Sequence, residues 1–389
     1  MEHFDVVIIG GGVVGSAVAR ELSRYELRIG VLEKELDVCT ETSGRNTGML
    51  HAGFTYKPGS LKAQCSVEGN AEFDQVAKEL DVPFRRTGKL IVGFTDDDMQ
   101  RLLRFKAVGE QNGVPGLKII DRKQMDELDP SAGGNFAMYA PTSGILNPFI
   151  YTIALAENAH ANGAEYYFNH QVLDIRKQPD GHLLFTPGGE FKARWIVNSA
   201  GLNSAKISEM LGIPGYTIGG FKGEYFVLDK KAGAYAKIPI YPAPNENGGF
   251  ATHATPTIDG NVLVGPNSVW VDDLEDYTAT AASMRELIED GQKMFAHMKP
   301  EYFIRNFAGI RPKRIDPKTR QVLDFVIEAR GDAPGTVNLV GIESPGLTSA
   351  LPIARRVVRL IGEKEPLKKK ETFNPVRKGI LCFAEQSPA

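Results

Sequence analysis

Residues 4–33, FDVVIIGGGVVGSAVARELSRYELRIGVLE, decide the fold of this chain. Val6 to Ile9 is a short apolar run rich in β-branched residues, which predicts a buried parallel strand. Gly10, Gly12 and Gly15 follow in the spacing G-x-G-x-x-G, ahead of a pattern that is typical of a helix. Strand, glycine turn and helix together predict the start of a nucleotide-binding unit.

The three glycines have separate tasks in such a unit. The first allows a tight turn, the second lets a pyrophosphate approach the backbone, and the third lets helix and strand pack closely. The helical pattern from Val14 to Leu22 begins beside them, and the free N–H groups and dipole of a helix start favour phosphate. A second strand, Arg28 to Leu32, ends at Glu33, whose carboxylate can accept hydrogen bonds from ribose hydroxyls. The stretch therefore predicts a dinucleotide site, without separating NAD from FAD.

Composition restricts the class of protein. The chain has 389 residues, of which 42% are hydrophobic and 24% charged, as expected for a soluble globular protein of two domains. A net charge of −3 argues against nucleic acid as a partner. Cys39, Cys65 and Cys382 are too few and too scattered for a disulfide framework or a metal site, which predicts a reducing compartment and no metal. No apolar run reaches the roughly 18 residues of a membrane span, and we expect no signal peptide ahead of the first strand. We therefore predict a cytoplasmic protein, with peripheral contact at the inner face of the membrane left open.

The order of the patterns predicts two interleaved domains. A Rossmann-like nucleotide-binding domain is assigned to residues 1–80, 146–215 and 325–363. A substrate-binding domain with a mixed or antiparallel sheet is assigned to residues 81–145 and 216–324. Residues 364–389 form a basic C-terminal tail, which we expect to be solvated. The predicted fold class is α/β plus antiparallel. The substrate-binding domain interrupts the nucleotide-binding domain twice, which is unusual for a simple NAD dehydrogenase.

Two further segments indicate a binding site. Residues 46–62 are rich in glycine and carry one histidine and two lysines, which is more typical of a loop against a ligand than of a core element. Residues 307–312 are short and apolar, yet they include Arg311. A buried arginine must be paired, and a phosphate or carboxylate on the substrate would pair it in bidentate geometry. The alternative is a structural salt bridge to a protein carboxylate.

These segments together resemble the D-amino-acid-oxidase-like FAD-dependent oxidoreductases, nearly from end to end. Within that family, residues 46–54 and 341–350 look like glycerol-3-phosphate oxidases and dehydrogenases. Residues 56–63, 223–226 and 264–267 also look like L-2-hydroxyglutarate dehydrogenases. We favour the first branch. Either branch implies FAD as the cofactor and makes the nucleotide-binding domain an FAD-binding domain.

The resemblance also implies where FAD lies. The pyrophosphate would lie at the glycine turn, the ribose at Glu33, and the adenine near the backbone of Val172. The flavin would lie against the loop after residue 42 and the start of the last helix, predicted at about Ala350 to Ile361, where N–H groups stabilise a reduced, anionic flavin. The predicted cofactor-binding residues are Gly10, Gly12, Gly15, Glu33, Thr42, Ser43, Thr47, Gly48, Leu50, Val172, Ala200, Gly201, Pro345, Gly346, Leu347 and Thr348.

Three residues are candidates for catalysis: His51, Arg311 and Ser344. Oxidation of an alcohol requires loss of the hydroxyl proton as hydride leaves carbon, and an imidazole is suited to take that proton. His51 is therefore the predicted general base; alternatively it only hydrogen-bonds the flavin, or it attaches the flavin covalently. Ser344 is predicted to hydrogen-bond the substrate, with a plain helix cap as its alternative.

The predicted function is oxidation of a small anionic secondary alcohol by hydride transfer to flavin N5. Glycerol 3-phosphate, giving dihydroxyacetone phosphate, is the leading substrate, and L-2-hydroxyglutarate is the alternative. Amine or amino-acid oxidation, and a flavin subunit of an electron-transfer complex, are further alternatives. Residues 373–380 resemble a linker that leads, in longer relatives, into a cysteine-rich iron–sulfur module. This leaves oxygen, a quinone at the membrane surface and an iron–sulfur partner open as electron acceptors.

Overall fold

The first strand, the glycine turn and the first helix form as the sequence predicts. A computed structural model describes residues 1–246 and 248–380. The helices of this part of the chain are α1 (Val13–Leu22), α2 (Leu61–Leu80), α3 (Asp96–Gln111), α4 (Arg122–Leu128), α5 (Pro148–Ala161), α6 (Ser204–Met210), α7 (Lys230–Gly233), α8 (Ala281–Met294) and α9 (Gly346–Gly362). Within the described residues, no helix is both long and apolar enough to cross a membrane.

The strands are arranged in three sheets. They are β1 (Glu2–Ile9), β2 (Ile29–Leu32), β3 (Met49–Leu50), β4 (Phe84–Arg85), β5 (Leu90–Gly93), β6 (Lys118–Asp121), β7 (Phe136–Tyr139), β8 (Gly144–Leu146), β9 (Ala164–Tyr167), β10 (Asp174–Gln178), β11 (Gly181–Thr186), β12 (Gly189–Asn198), β13 (Ile218–Leu228), β14 (Ile240–Pro242), β15 (Ala254–Pro256), β16 (Val262–Val264), β17 (Val269–Val271), β18 (Phe303–Arg314), β19 (Val326–Glu328) and β20 (Thr336–Val340).

The first sheet has eight strands and contains the nucleotide-binding signature. Its centre is parallel: β1 lies between β2 and β12, β9 pairs with β2, and β20 pairs with β12. The antiparallel strands extend it on the side of β12 that faces away from β1: β11 and β10 follow β12, and β19 follows β20. Helices α1, α5 and α9 pack on one face of this sheet and bury a continuous apolar cluster with β1. The predicted Rossmann-like unit is confirmed.

The second sheet has nine strands and is mixed. Most pairs are antiparallel, but β14 pairs with β5 in parallel, so distant parts of the chain meet there. Strand β18 is twice as long as the short segment 307–312 that the sequence indicates, because it pairs with almost the full length of β13. A small third sheet joins β3, β8 and β4. The mixed-sheet part of the fold class is confirmed, whereas the domain boundaries stay a prediction.

The described part of the basic tail, residues 364–380, is exposed or half-buried, and several of its residues contact the first-sheet domain. The guanidinium of Arg377 donates to the Glu157 carboxylate at 2.7 Å. The guanidinium carbon of Arg24 lies 4.3 Å from the centroid of the Phe373 ring. The backbone oxygen of Asn374 accepts a hydrogen bond from the side-chain amide of Asn162. These contacts hold residues 364–380 against the first-sheet domain. Residues 381–389, with Cys382, lie outside the described residues.

Candidate functional site

A cavity of about 1390 Å³ is bounded by segments of both large sheets. Its wall is formed by the glycine turn, the loop of residues 41–62, strand β18 and the start of α9. Most of the predicted site residues meet in this wall, although they come from distant segments. They are Gly10, Gly12, Glu33, Thr42, Ser43, Thr47, His51, Val172, Ala200, Gly201, Arg311, Ser344, Pro345, Gly346 and Leu347.

The glycine turn and Glu33 shape one end of the cavity. Glu33 accepts hydrogen bonds from the backbone N–H of Gly11 at 2.6 Å and of Glu35 at 2.9 Å. Burial raises the pKa of this carboxyl, and the two backbone donors oppose that shift. A Cβ on Gly10 would lie 2.7 Å from the backbone oxygen of Ser199, so only glycine fits there. The glycine turn therefore lies close to the backbone at Ser199, directly after β12. The Glu33 carboxylate is an acidic acceptor in the cavity wall beside it.

The loop after residue 41 crosses the start of α1 and reaches β18. The Ser43 hydroxyl accepts from the backbone N–H of Val13 at 3.0 Å, in the first turn of α1. The Thr42 hydroxyl donates to the backbone oxygen of Ile310 at 2.9 Å. One short segment thus contacts a helix on the first sheet and a strand of the second. It fixes the width of the cavity between them.

Four predicted cofactor ligands lie behind the wall instead of in it: Gly15, Gly48, Leu50 and Thr348. Leu50 and Thr348 are buried, and Gly15 is where helix and strand touch. The Thr348 hydroxyl accepts from the backbone N–H of His51 at 2.9 Å. The predicted roles of these four residues in binding the cofactor stay predictions; in the structure they lie next to residues of the cavity wall.

His51 and Ser344 come together although 293 residues separate them. The Ser344 hydroxyl and His51 Nε2 share a hydrogen bond of 3.2 Å. Helix α9 begins at Gly346, earlier than predicted, and its cap position is Pro345 with no side-chain bond. The helix-cap alternative for Ser344 is therefore wrong, since its hydroxyl is directed to the imidazole.

The environment of His51 keeps its ring neutral. His51 is half-buried in the cavity wall, and burial, followed by the positive charge of Lys89, lowers the pKa of its ring to about 3. Glu343 opposes the shift only in part. The ring is therefore neutral at neutral pH and has an acceptor lone pair, but it is a weaker base than an imidazole whose pKa lies near the working pH.

Arg311 forms no ion pair with a carboxylate in the described part of the chain. Its Nε donates to the backbone oxygen of Phe221 at 3.2 Å, and its Nη2 donates to that of Asn267 at 2.8 Å. These carbonyls orient the guanidinium but leave its charge uncompensated. The structure therefore contradicts the alternative of a structural salt bridge. The positive charge of Arg311 remains in the cavity wall.

Further cations surround a buried carboxylate next to Ser344. Lys62 Nζ lies 2.5 Å from the Glu343 carboxylate. Burial alone would raise the pKa of Glu343, but Lys62, then Lys313 and Arg311, hold it below its usual range. Three cations thus face one carboxylate. The surplus is positive, which favours an anionic ligand.

Sequence reasoning missed Lys89, a buried lysine close to His51. Lys89 is 1% exposed, and its Nζ has no hydrogen-bond partner among the described residues. The nitrogen lies 3.4 Å from the ring centroid of Tyr241, 4.3 Å from that of Phe250 and 5.4 Å from that of Phe54. Burial lowers the pKa of this amine well below its usual range. The available signal was a lysine directly before the apolar strand β5.

His253 belongs to the same cluster as Lys89 and Tyr241. Its ring stacks on Tyr241 at a centroid distance of 3.6 Å. Nδ1 lies 3.0 Å from the backbone oxygen of Ala251, which can only accept, so Nδ1 carries the hydrogen. Nε2 is then an acceptor, and it has no partner among the described residues. Since His253 also lines the cavity, it adds a second neutral imidazole to the site.

The unpaired amine leads to a stability prediction. Lys89→Met should leave the free energy of unfolding of the holoprotein unchanged or raise it, by up to about 1–3 kcal/mol, because a buried polar group without a partner is costly. Urea unfolding measures this effect. Lys222→Met is the matched control: Lys222 is also buried but pairs with Asp276 at 2.7 Å, so its loss should lower stability. A Lys89→Met protein that unfolds at lower urea would contradict the assignment of an unpaired amine.

Comparison with known proteins gives one family. The profile of the family described as FAD dependent oxidoreductase, DAO, matches residues 5–360. A glycerol 3-phosphate dehydrogenase from Caloramator mitchellensis is 39% identical over 390 residues, which cover 99% of this chain and 79% of the relative. The mitochondrial L-2-hydroxyglutarate dehydrogenase of Homo sapiens is 31% identical over 403 residues, which cover 90% of this chain and 87% of the relative.

A solved structure agrees with this result. Dithionite-reduced L-α-glycerophosphate oxidase from Mycoplasma pneumoniae, with FAD bound, matches with a TM-score of 0.91 and 28% identity. The match covers 98% of this chain and 100% of that one. Fold, cavity and relatives therefore indicate the same class of chemistry.

Proposed function

The chain belongs to the DAO family of FAD-dependent oxidoreductases, and on this basis we propose that it oxidises glycerol 3-phosphate to dihydroxyacetone phosphate. The observation that carries the proposal is a neutral imidazole, His51, in a cavity wall with surplus positive charge at Arg311. A base and a cation in one cavity suit an alcohol that carries an anionic group. Its relatives include a glycerol 3-phosphate dehydrogenase, which supports this substrate.

The residues of the cavity fit FAD. The start of α1 lies in the cavity wall at Gly12 and Val14, where backbone N–H groups would hold the pyrophosphate. Glu33 would hold the ribose at the same end. The start of α9 lies in the wall at the other end of the cavity, where the backbone N–H of Leu347 and the positive end of the helix dipole would face the flavin. When bound, FAD supplies the acceptor of the electron pair, which leaves the substrate as hydride for flavin N5.

The chain itself would supply the base and the anion site. His51 would take the hydroxyl proton at the ring nitrogen that carries no hydrogen, since its low pKa keeps the ring neutral. Ser344, 3.2 Å from Nε2, would orient the imidazole or the substrate hydroxyl. Arg311 would hold the anionic group, which places the carbinol carbon in a fixed position. The roles of these three residues remain predictions that mutation tests.

L-2-hydroxyglutarate is the second candidate substrate, supported by the relative that is 31% identical. It also carries a hydroxyl close to an anionic group, so the same histidine and arginine would serve it. The surplus of cations around Glu343 favours the phosphate ester, because a phosphate carries nearly two charges on one group at neutral pH, whereas the two charges of L-2-hydroxyglutarate lie on separate carboxylates. Glycerol 3-phosphate is therefore placed first.

Anaerobic bleaching of the flavin tests the proposal. The holoprotein is mixed with glycerol 3-phosphate, with L-2-hydroxyglutarate or with glycerol, and the oxidised flavin band near ~450 nm is followed. We expect fast bleaching by glycerol 3-phosphate alone. Fast bleaching by L-2-hydroxyglutarate alone would make L-2-hydroxyglutarate the substrate instead. Mixing the bleached enzyme with oxygen then tests the acceptor. Slow reoxidation would favour a quinone or an iron–sulfur partner, and location at the membrane stays a prediction.

Loss of Arg311 should mainly weaken substrate binding. Arg311→Met is expected to raise the dissociation constant for glycerol 3-phosphate roughly 10- to 150-fold, as hydrogen bonds to charged groups are worth about 1.5–3 kcal/mol. Concentration dependence of flavin reduction measures this constant. Arg314→Met is the control on the same strand, since Arg314 donates to the backbone oxygen of Asp324 and does not line the cavity. Unfolding of Arg311→Met with unchanged affinity in the folded fraction would make Arg311 structural.

A further inference from the structure

Lys313 lies on the same strand and the same face as Arg311. Side chains alternate between the two faces of a strand, so residues two apart share a face. Both residues lie in β18, opposite Phe221 and Gly219 of β13, and both line the cavity. Of the two basic residues that follow Pro312, only Lys313 lies in the cavity wall, and Arg314 does not.

The Lys313 ammonium has no carboxylate of its own. No ion pair or hydrogen bond of the Lys313 side chain occurs within the described residues, and its Nζ lies over the Phe221 ring, 4.7 Å from the centroid. Lys62 neutralises Glu343 at 2.5 Å. Within this cluster of four side chains, three cations less one carboxylate leave two positive charges, those of Arg311 and Lys313.

Burial makes this arrangement costly without a ligand. Burial lowers the pKa of Lys313, Glu343 raises it in part, and Arg311 and Lys62 lower it further. An anion placed between Lys313 and Arg311 would relieve both the repulsion and the desolvation. The position therefore has the properties of one half of an anion subsite.

We propose that Lys313 is the second cation of this subsite and selects a phosphate ester over a carboxylate. The inference rests on the proposed oxidation of glycerol 3-phosphate. A phosphate carries nearly two charges at neutral pH and three acceptor oxygens, so it can engage Arg311 and Lys313 together. Each carboxylate of L-2-hydroxyglutarate has one charge and two oxygens, and the Arg311 fork alone occupies both oxygens of the group it binds. The second carboxylate lies three carbons away from the first, so the subsite of Arg311 and Lys313 would receive one charge instead of nearly two, and that difference separates the two classes of substrate.

Lys313→Met tests the proposal with glycerol 3-phosphate and L-2-hydroxyglutarate as paired ligands. We expect the dissociation constant for glycerol 3-phosphate, obtained from anaerobic flavin reduction, to rise roughly 10- to 100-fold, with the limiting reduction rate changed less than threefold, on the order of experimental scatter. The constant for L-2-hydroxyglutarate should change far less. Lys318→Met, on an exposed turn outside the cavity, should match the wild type.

The pH dependence of binding gives a readout that a structural role would not move. The second phosphate proton is lost near pH ~6, so wild-type affinity should fall as pH drops through that value. The charged groups that face Lys313 are Glu343, Arg311 and Lys62, and they are the same in both proteins. With Lys313→Met the dependence should flatten, because one remaining cation gains less from the second negative charge.

A second measurement separates failure of the inference from failure of the proposed function. Inorganic phosphate, as an unreactive probe, should protect the wild-type holoprotein against thermal unfolding and protect Lys313→Met less. If glycerol 3-phosphate does not bleach the wild type, the proposed function fails while phosphate protection still tests the subsite. If both proteins bind phosphate and glycerol 3-phosphate equally, the inference is wrong. If Lys313→Met loses FAD or unfolds, Lys313→Arg, which keeps the positive charge, should retain the selectivity for glycerol 3-phosphate over L-2-hydroxyglutarate. A folded Lys313→Arg protein without this selectivity would also contradict the inference.

Discussion

Replacing His51 by alanine is expected to slow reduction of the flavin by glycerol 3-phosphate roughly 10²–10⁴-fold, the usual contribution of a positioned base. FAD should stay bound, since the backbone of His51 is held by Thr348 and Asn70 and not by its own ring. The effect should lie in the limiting rate of reduction and not in substrate affinity, because Arg311 still holds the anionic group. Ser344→Ala should cause a smaller loss, as it removes only the 3.2 Å contact that orients the imidazole.

Anaerobic stopped-flow mixing measures this rate. His3→Ala, at an exposed position outside the cavity, is the matched control and should behave as the wild type. A normal rate of flavin reduction in His51→Ala would contradict the assignment of His51 as the general base. Acid precipitation addresses the remaining alternative: a yellow pellet that turns colourless in His51→Ala would mean covalent attachment of the flavin.

The low pKa of His51 also predicts how pH acts. The native pKa is about 3, against 6.5 for an ordinary histidine. Between these values the unfolded chain binds a proton that the native ring does not, so stability is lost as pH falls from 6.5 towards 3 and is complete above 6.5. His51→Gln should remove this part of the acid sensitivity. For the same reason, protonation of His51 should not limit flavin reduction between pH 5 and 8.

Gly15→Ala is expected to abolish FAD binding or folding altogether. A Cβ at this position would lie 1.9 Å from the backbone oxygen of Gly10 and 2.8 Å from the Ser199 hydroxyl. Backbone atoms cannot yield as a flexible side chain can, so α1 would have to move away from β1. That movement opens the turn whose N–H groups are expected to hold the pyrophosphate.

The ratio of flavin absorbance to protein absorbance in the purified protein measures this loss. Gly331→Ala is the matched control, because nothing lies within 4 Å of the Cβ it adds and its backbone does not require glycine. The control should retain full flavin content. A yellow, fully loaded Gly15→Ala protein would show that α1 and β1 tolerate a wider spacing than the structure has.

The sequence by itself determined the features that depend on local physics. An apolar β-branched run, glycines at fixed spacing and an acid after the next strand specify the unit of β1, α1 and β2, because turn geometry and helix dipoles act within a few residues. A local pattern, the glycine-rich segment of residues 46–62, likewise placed His51 in a loop against a ligand. It also indicated the family and, through it, FAD.

Only the tertiary structure decided which side chains meet and how they are charged. The contact between His51 and Ser344 spans 293 residues, and whether Lys313 or Arg314 enters the cavity depends on the pairing of β18 with β13. The isolation of Lys89 results from three aromatic rings supplied by separate segments. Charge state follows burial and neighbours, which distant parts of the chain create together, so no local pattern reports it.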